Sequence, residues 1–292
     1  MASKRIHLVI IDPQNDFCDL PENYLSAAGG TAGNRLAPAL PVTGAHADMQ
    51  RVAALIDQGG AGLTDISVTL DSHQRVDIAH PTFWRQGDGS AVAPFTQVLA
   101  ADVRVGRYLP RRGESLGQVL AYLDALEADG RYAHMIWPVH CEIGSWGHNV
   151  HEDVRRAYNR WEEASVGIVA KVVKGTNPWT EHYSAIKAEV PDADDASTQI
   201  NRDFLERLQQ ADRVLIAGEA GSHCVKATTE HIVETFAPGA LGRLVLLTDC
   251  MSAVTGFEAQ YAAFIEDMRG RGVQVATSAD VLPELMANAN AR

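Results

Sequence analysis

Three side chains able to carry chemistry stand where short apolar runs of this chain end. Asp12 follows Ile6–Ile11, Lys174 follows Val166–Val173, and Cys224 comes just after Val214-Leu215-Ile216-Ala217. Buried parallel strands place their ligands beyond their carboxyl ends, so folding can bring three such residues together however far apart they lie in sequence. Cys224 follows a turn containing Gly218 and Gly221 and opens a helix-like segment, where unpaired N–H groups and the helix dipole favour an anion. That setting predicts a lowered thiol pKa and a well-populated thiolate. A lysine beside a carboxylate and a thiol holds both in their charged forms, and Lys174 at a strand exit suits this better than Lys171 inside the strand. Thiol, acid and amine together point to nucleophilic attack on a carbonyl.

A second group has metal-ligand chemistry. The strand Asp65–Leu70 runs into Asp71-Ser72-His73, and residues two apart in extended chain point the same way. His140 lies in Trp137-Pro138-Val139-His140-Cys141, on a turn stiffened by Pro138. Asp71, His73 and His140 make an Asp/His/His set with coordination positions left open, as a catalytic site requires and a structural one does not. His80 either joins them or lines the pocket.

These residues need a scaffold. The strands already named, with Arg243–Leu247 and Val273–Ala276, alternate with helical patterns around Met49–Ile56, Leu116–Leu123, Ile200–Leu208, Glu258–Arg269 and Val281–Ala289. Alternation of this kind predicts an α/β three-layer sandwich with a mainly parallel, doubly wound sheet. The 292 residues are read as one domain, 1–292. Residues 18–45 form a long loop, and an insertion at about 85–134 shapes the mouth of the site. No G-x-G-x-x-G or Walker-type loop follows the first strand, so a dinucleotide or nucleoside triphosphate site is unsupported. A net charge of −12 argues against nucleic acid or an anionic membrane as partner. No apolar run is of bilayer length, and the basic N-terminus leads straight into the first strand, so a cytoplasmic protein is expected. The four cysteines form no CxxC pair, which indicates neither a disulfide framework nor a thiolate cage.

Taken in order, five blocks resemble the isochorismatase-like cysteine hydrolases, and among them the nicotinamidases. They are Ile11-Asp12-Pro13-Gln14-Asn15-Asp16-Phe17; Asp71-Ser72-His73; Trp137 to Cys141; Lys174-Gly175 with Tyr183-Ser184-Ala185; and Gly218 to Val225. The resemblance implies an Asp12–Lys174–Cys224 triad and a metal held by Asp71, His73 and His140. It implies an oxyanion hole from the Ala220 and Cys224 N–H groups, a cis peptide between Glu219 and Ala220, and a substrate ring flanked by Phe17 and Trp137. The metal would be one divalent ion, zinc first, with Fe2+ or Mn2+ as alternatives. The substrate would be a small amide, foremost nicotinamide, and homo-oligomers are common in the family. Two departures stand out. His80 is one residue further from His73 than the extra metal-site histidine of some nicotinamidases, and Glu219 replaces a usual apolar residue. The alternatives are a related amidase acting on a carbamoyl, ureido or other small amide, and a non-catalytic metal-binding or regulatory protein on the same fold.

Overall fold

A computed structural model describes residues 3–27 and 35–291, so residues 28–34 of the long loop predicted after Phe17 fall outside the description. The strands are β1 (Ile6–Ile11), β2 (Asp65–Asp71), β3 (Trp84–Gln86), β4 (Thr96–Val98), β5 (Tyr108–Pro110), β6 (His134–Ile136), β7 (Ala170–Lys174), β8 (Arg213–Gly218), β9 (Leu244–Leu247) and β10 (Gln274–Ala276). The α-helices are α1 (Ala45–Gly59), α2 (Ala100–Arg104), α3 (Leu116–Asp129), α4 (Glu152–Ser165), α5 (Arg202–Gln209), α6 (Cys224–Thr235), α7 (Glu258–Gly270) and α8 (Ser278–Ala289). Among the described residues no helix is long and apolar enough to cross a membrane.

Six strands form one sheet in the order β10-β9-β8-β1-β2-β7, and every pairing in it is parallel. The period of two along β1 explains the layers. Leu8 and Ile10 face one side, where α1, α4 and α8 supply Met49, Val52, Trp161 and Leu285. Val9 and Ile11 face the other, against Leu208 of α5, Ile232 of α6 and Phe264 of α7. The central strands β1, β8 and β9 are thus buried on both faces, which is why they read as nearly unbroken apolar runs rather than alternating ones.

The register brings the strand exits level. Ile11 pairs with Gly218, Ile10 with Val68, and Asp71 with Lys174. β1 lies between β8 and β2, so the chain winds outward in both directions from it, and ligands bind at such a switch point. Gly218 has φ +118°, and a Cβ there would lie 2.0 Å from the Ile11 carbonyl oxygen, so only glycine fits beside β1.

Two differences from the sequence reading have simple causes. Helix α4 was not anticipated, although Val154, Ala157, Tyr158 and Trp161 recur at helical spacing along its buried face. Within 85–134 the chain forms α2, α3 and three-residue strands, too short for a period-two pattern to emerge, and β3 pairs with β5 while β4 pairs with β6. Val98, Val103, Val119, Leu123 and Leu126 pack there around Trp84 as a separate apolar cluster.

His134 of β6 makes a stability test. Its Nε2–H donates to the Ile78 carbonyl at 2.9 Å and its Nδ1 lies 3.3 Å from the Tyr122 hydroxyl, an arrangement for a neutral ring. Burial pushes its pKa down to about 4. Unfolding restores a value of about 6.5, so between these limits the unfolded chain binds a proton the native chain refuses. Stability therefore falls as pH falls through that window, by up to about 1.4 kcal/mol per pH unit from this group. Urea unfolding across the window should show a shallower slope for His134→Gln than for wild type.

Candidate active site

The exits of β1, β2, β7 and β8 converge on one buried ammonium. Lys174 Nζ lies 2.8 Å from Asp71 Oδ1, 2.9 Å from Asp12 Oδ2, 3.0 Å from the His182 carbonyl and 3.6 Å from Cys224 Sγ. Asp12, Lys174 and Cys224 are all buried, and Lys171 is not among them: it points outward over the Tyr158 ring. Asp12 Oδ1 accepts a 2.5 Å hydrogen bond from Thr69 of the neighbouring strand. Its Oδ2 is in ion-pair contact with Lys174, and the same carboxyl is within hydrogen-bond reach of the Cys224 thiol.

Electrostatics assign the protons. Burial alone would lower the Lys174 pKa, but Asp12 and Asp71 raise it well above the usual lysine value, so it is a fixed cation. Burial raises the Asp12 carboxyl despite the pull of Lys174. Burial also dominates at Cys224, pushing its thiol well up although Lys174 pulls the other way. The low thiol pKa expected from the helix terminus is therefore corrected. In the dry interior the resting cysteine is protonated, and the raised carboxylate beside it is the group able to take that proton.

The backbone around Cys224 offers donors. Cys224 is the first residue of α6, and the Glu219–Ala220 peptide is cis. The Ala220 carbonyl accepts from His223 and Val225, whereas the N–H groups of Ala220 and Cys224 have no hydrogen-bond partner among the described residues. Two free N–H groups beside a nucleophile are the requirement of an oxyanion hole.

Next to this lies a cluster of ligand atoms. His73, His80 and His140 each place a nitrogen within 4.8 Å of the others. Asp71 Oδ2 borders the same gap, 3.0 Å from His73 Nε2 and 3.3 Å from His140 Nε2, while its Oδ1 is taken by Lys174. The remaining ring nitrogens are held from behind: His73 Nδ1 by Asp77 at 3.2 Å, His80 Nδ1 by the Gln74 carbonyl at 3.2 Å, and His140 Nδ1 by the Pro138 carbonyl at 2.8 Å. Metal-ligating histidines are oriented in this way. Burial pushes His80 down to about 2, so its ring is neutral and offers a lone pair. His80, set apart by its spacing, thus converges with His73 and His140, and the donor set suits one divalent cation.

A narrow cavity of about 30 Å³ is lined by Cys224, Ala220, His140, Asp71, Phe17, Trp137 and Tyr183. Trp137 Nε1–H donates to the Tyr183 hydroxyl at 3.1 Å, which fixes the indole as a wall. A larger hollow lined by Tyr24, Trp146 and Arg155 holds none of the three groups of the thiol centre. Glu181 also lines the cavity and was missed in the sequence. Its buried carboxyl is raised to about 7 by burial, and Oε2 has no partner among the described residues. Glu181 and Tyr183 both line the cavity from a stretch without regular secondary structure, which no periodicity in the sequence announces.

The fold recurs in solved structures. The Acinetobacter baumanii nicotinamidase pairs with 95% of this chain and 98% of its own at a TM-score of 0.58 and 18% identity. The fold is that of the nicotinamidases. The yeast nicotinamidase Pnc1p bound to the inhibitor nicotinaldehyde shares this nicotinamidase fold over 93% of this chain and 99% of its own, with a TM-score of 0.60 and 18% identity. So does the Pyrococcus horikoshii pyrazinamidase in complex with zinc, over 94% and 99%, at 0.51 and 17%. No protein-family model and no curated protein sequence matches the chain.

Proposed function

We propose that this protein is a metal-dependent cysteine amidohydrolase of the isochorismatase-like superfamily that cleaves a small heteroaromatic carboxamide, foremost nicotinamide, to the carboxylate and ammonia. The observation that carries the reading is the contact of Lys174 with Asp12, Asp71 and Cys224, whose own N–H and that of Ala220 have no partner among the described residues. A likeness in fold to nicotinamidases and a pyrazinamidase supports the substrate class.

The steps follow from the protonation states. Asp12 Oδ2 accepts the Cys224 proton as sulfur attacks the amide carbon, and Lys174 keeps the growing negative charge at the centre balanced. The Ala220 and Cys224 N–H groups receive the oxyanion, a contribution of roughly 3 kcal/mol per donor. Asp12 then gives its proton to the amine, the C–N bond breaks, and ammonia leaves a thioester on Cys224. Water, deprotonated by Asp12, attacks that thioester and releases the acid. A divalent ion held by His73, His80, His140 and Asp71 would supply a Lewis acid for the ring nitrogen of the substrate and so orient the ring between Phe17 and Trp137. We take zinc as the ion, with Fe2+ and Mn2+ as alternatives.

The test is an ammonia-release screen of small amides on purified protein. Turnover of nicotinamide supports the reading; turnover only of carbamoyl or ureido compounds would move the substrate to a related amidase, and no cleavage of any amide would contradict it. The metal centre has its own check. Elemental analysis should find one divalent ion per chain, and His80→Ala should weaken its affinity by about tenfold or more, because even groups behind the ligands are worth that much. Unchanged affinity would remove His80 from the ligand set.

A further inference from the structure

Behind the candidate oxyanion hole lies a buried acidic pair that the mechanism does not use. Glu219 is fully buried and Asp48 of α1 is 2% exposed. Ser252 joins them: its N–H donates to Glu219 Oε2 at 3.2 Å and its hydroxyl donates to Asp48 Oδ2 at 2.5 Å. The Ser252 carbonyl accepts from the Gly221 N–H at 2.7 Å. Asp48 is held in turn by Arg51 Nη2 at 2.6 Å. Ser252 therefore grips the chain on both sides of Ala220, through the main chain at Gly221 and through the side chain at Glu219. On the sheet side the Glu219 N–H donates to the Ile11 carbonyl at 2.8 Å.

We propose that Glu219 is a positioning residue, whose carboxyl, tied through Ser252 to Asp48, aims the Ala220 N–H at the substrate oxyanion. The inference rests on the amidohydrolase reading above. Two carboxyls buried together do not both ionise, and burial with Asp48 raises Glu219 well above the usual glutamate value. Asp48 already has Arg51 as its cation, so the proton belongs on Glu219. An oxyanion donor works within a few tenths of an ångström, and misplacement by about 1 Å costs on the order of 10²-fold in rate. Of Ala220's two main-chain polar groups, the carbonyl is occupied by His223 and Val225, which leaves the N–H as the one the Ser252 tether can aim.

The test compares Glu219→Gln with Glu219→Met. Glutamine is neutral, keeps an oxygen for the Ser252 N–H and offers donors to Asp48; methionine matches the length and removes the tether. The glutamine variant should keep kcat within about threefold of wild type, whereas the methionine variant should lose about 10- to 100-fold in kcat with KM nearly unchanged. Hydrogen–deuterium exchange of the 219–223 peptide without substrate gives a readout independent of turnover, and it should quicken by about tenfold in the methionine variant alone. If that variant does not fold, Ser252→Ala takes its place, with the same peptide loosened and kcat lowered by about threefold or more. Wild-type kcat and exchange in the tether-less variant, or equal loss with glutamine, would overturn the proposal. Failure of the amidohydrolase reading would look different: no amide turned over by wild type, whatever the exchange pattern.

Discussion

Cys224→Ala is expected to lower amide turnover by at least about 10⁴-fold while leaving the melting temperature nearly unchanged. The size of the effect follows from the chemistry, because without the sulfur no thioester forms and Asp12 has no proton to take. What remains is binding and the N–H donors, which in other acyl-transfer enzymes leave a residual acceleration of about 10³–10⁴ over water. The thiol is buried and small, and alanine keeps the first residue of α6 helical, so the fold has little reason to respond. Thermal melting by circular dichroism and ammonia release on the same preparation check both parts. A variant that retains wild-type turnover of its best substrate would exclude Cys224 as the nucleophile.

Lys174→Met should reduce both activity and stability. The ammonium is the cation shared by Asp12 and Asp71, and all three groups are buried. Removing one partner of a buried ion pair costs about 3–5 kcal/mol, since the charge left behind has neither water nor counter-ion. For a chain of this size that is a fall in melting temperature of about 5–8 °C. The pH dependence carries the signature. In wild type Asp71 is held well below the usual carboxylate value by His73 and Lys174 against the effect of burial, so its contribution is lost as pH falls. In the variant Asp12 loses the cation that opposes its burial and titrates higher still in the folded state, so the chain gains stability as pH drops, down to the unfolded value of about 4. The gap between the two proteins should therefore narrow from pH 7 toward pH 4. Lys171→Met, on the outer edge of the same strand, should do neither.

The reason Lys174 and not Lys171 was legible in the sequence is the strand-exit rule. β1, β2, β7 and β8 each end in a functional group or run directly to one, and parallel strands in level register must bring those ends together. The same rule made Asp12, Asp71 and Cys224 readable. It fails where position is set by a loop: His80 reaches the histidine cluster because Asp77-Ile78-Ala79-His80 turns back on the Gln74 carbonyl, and no periodicity announces such a turn. The thiol pKa failed for another reason. Helix termini and a lysine are visible in sequence, but burial is not, and burial outweighs them at Cys224. Ser252 and Asp48 were invisible as partners of Glu219, being joined to it only by tertiary contacts across more than 30 residues of chain in each case.

The most direct measurement is an acid quench of the wild-type enzyme during steady turnover of nicotinamide, followed by proteolysis and mass spectrometry. The account predicts that the peptide containing Cys224 gains the mass of one nicotinoyl group in place of a hydrogen, and that the label is released by hydroxylamine as a thioester would be. An enzyme that turns over nicotinamide while acylated at another residue would contradict it.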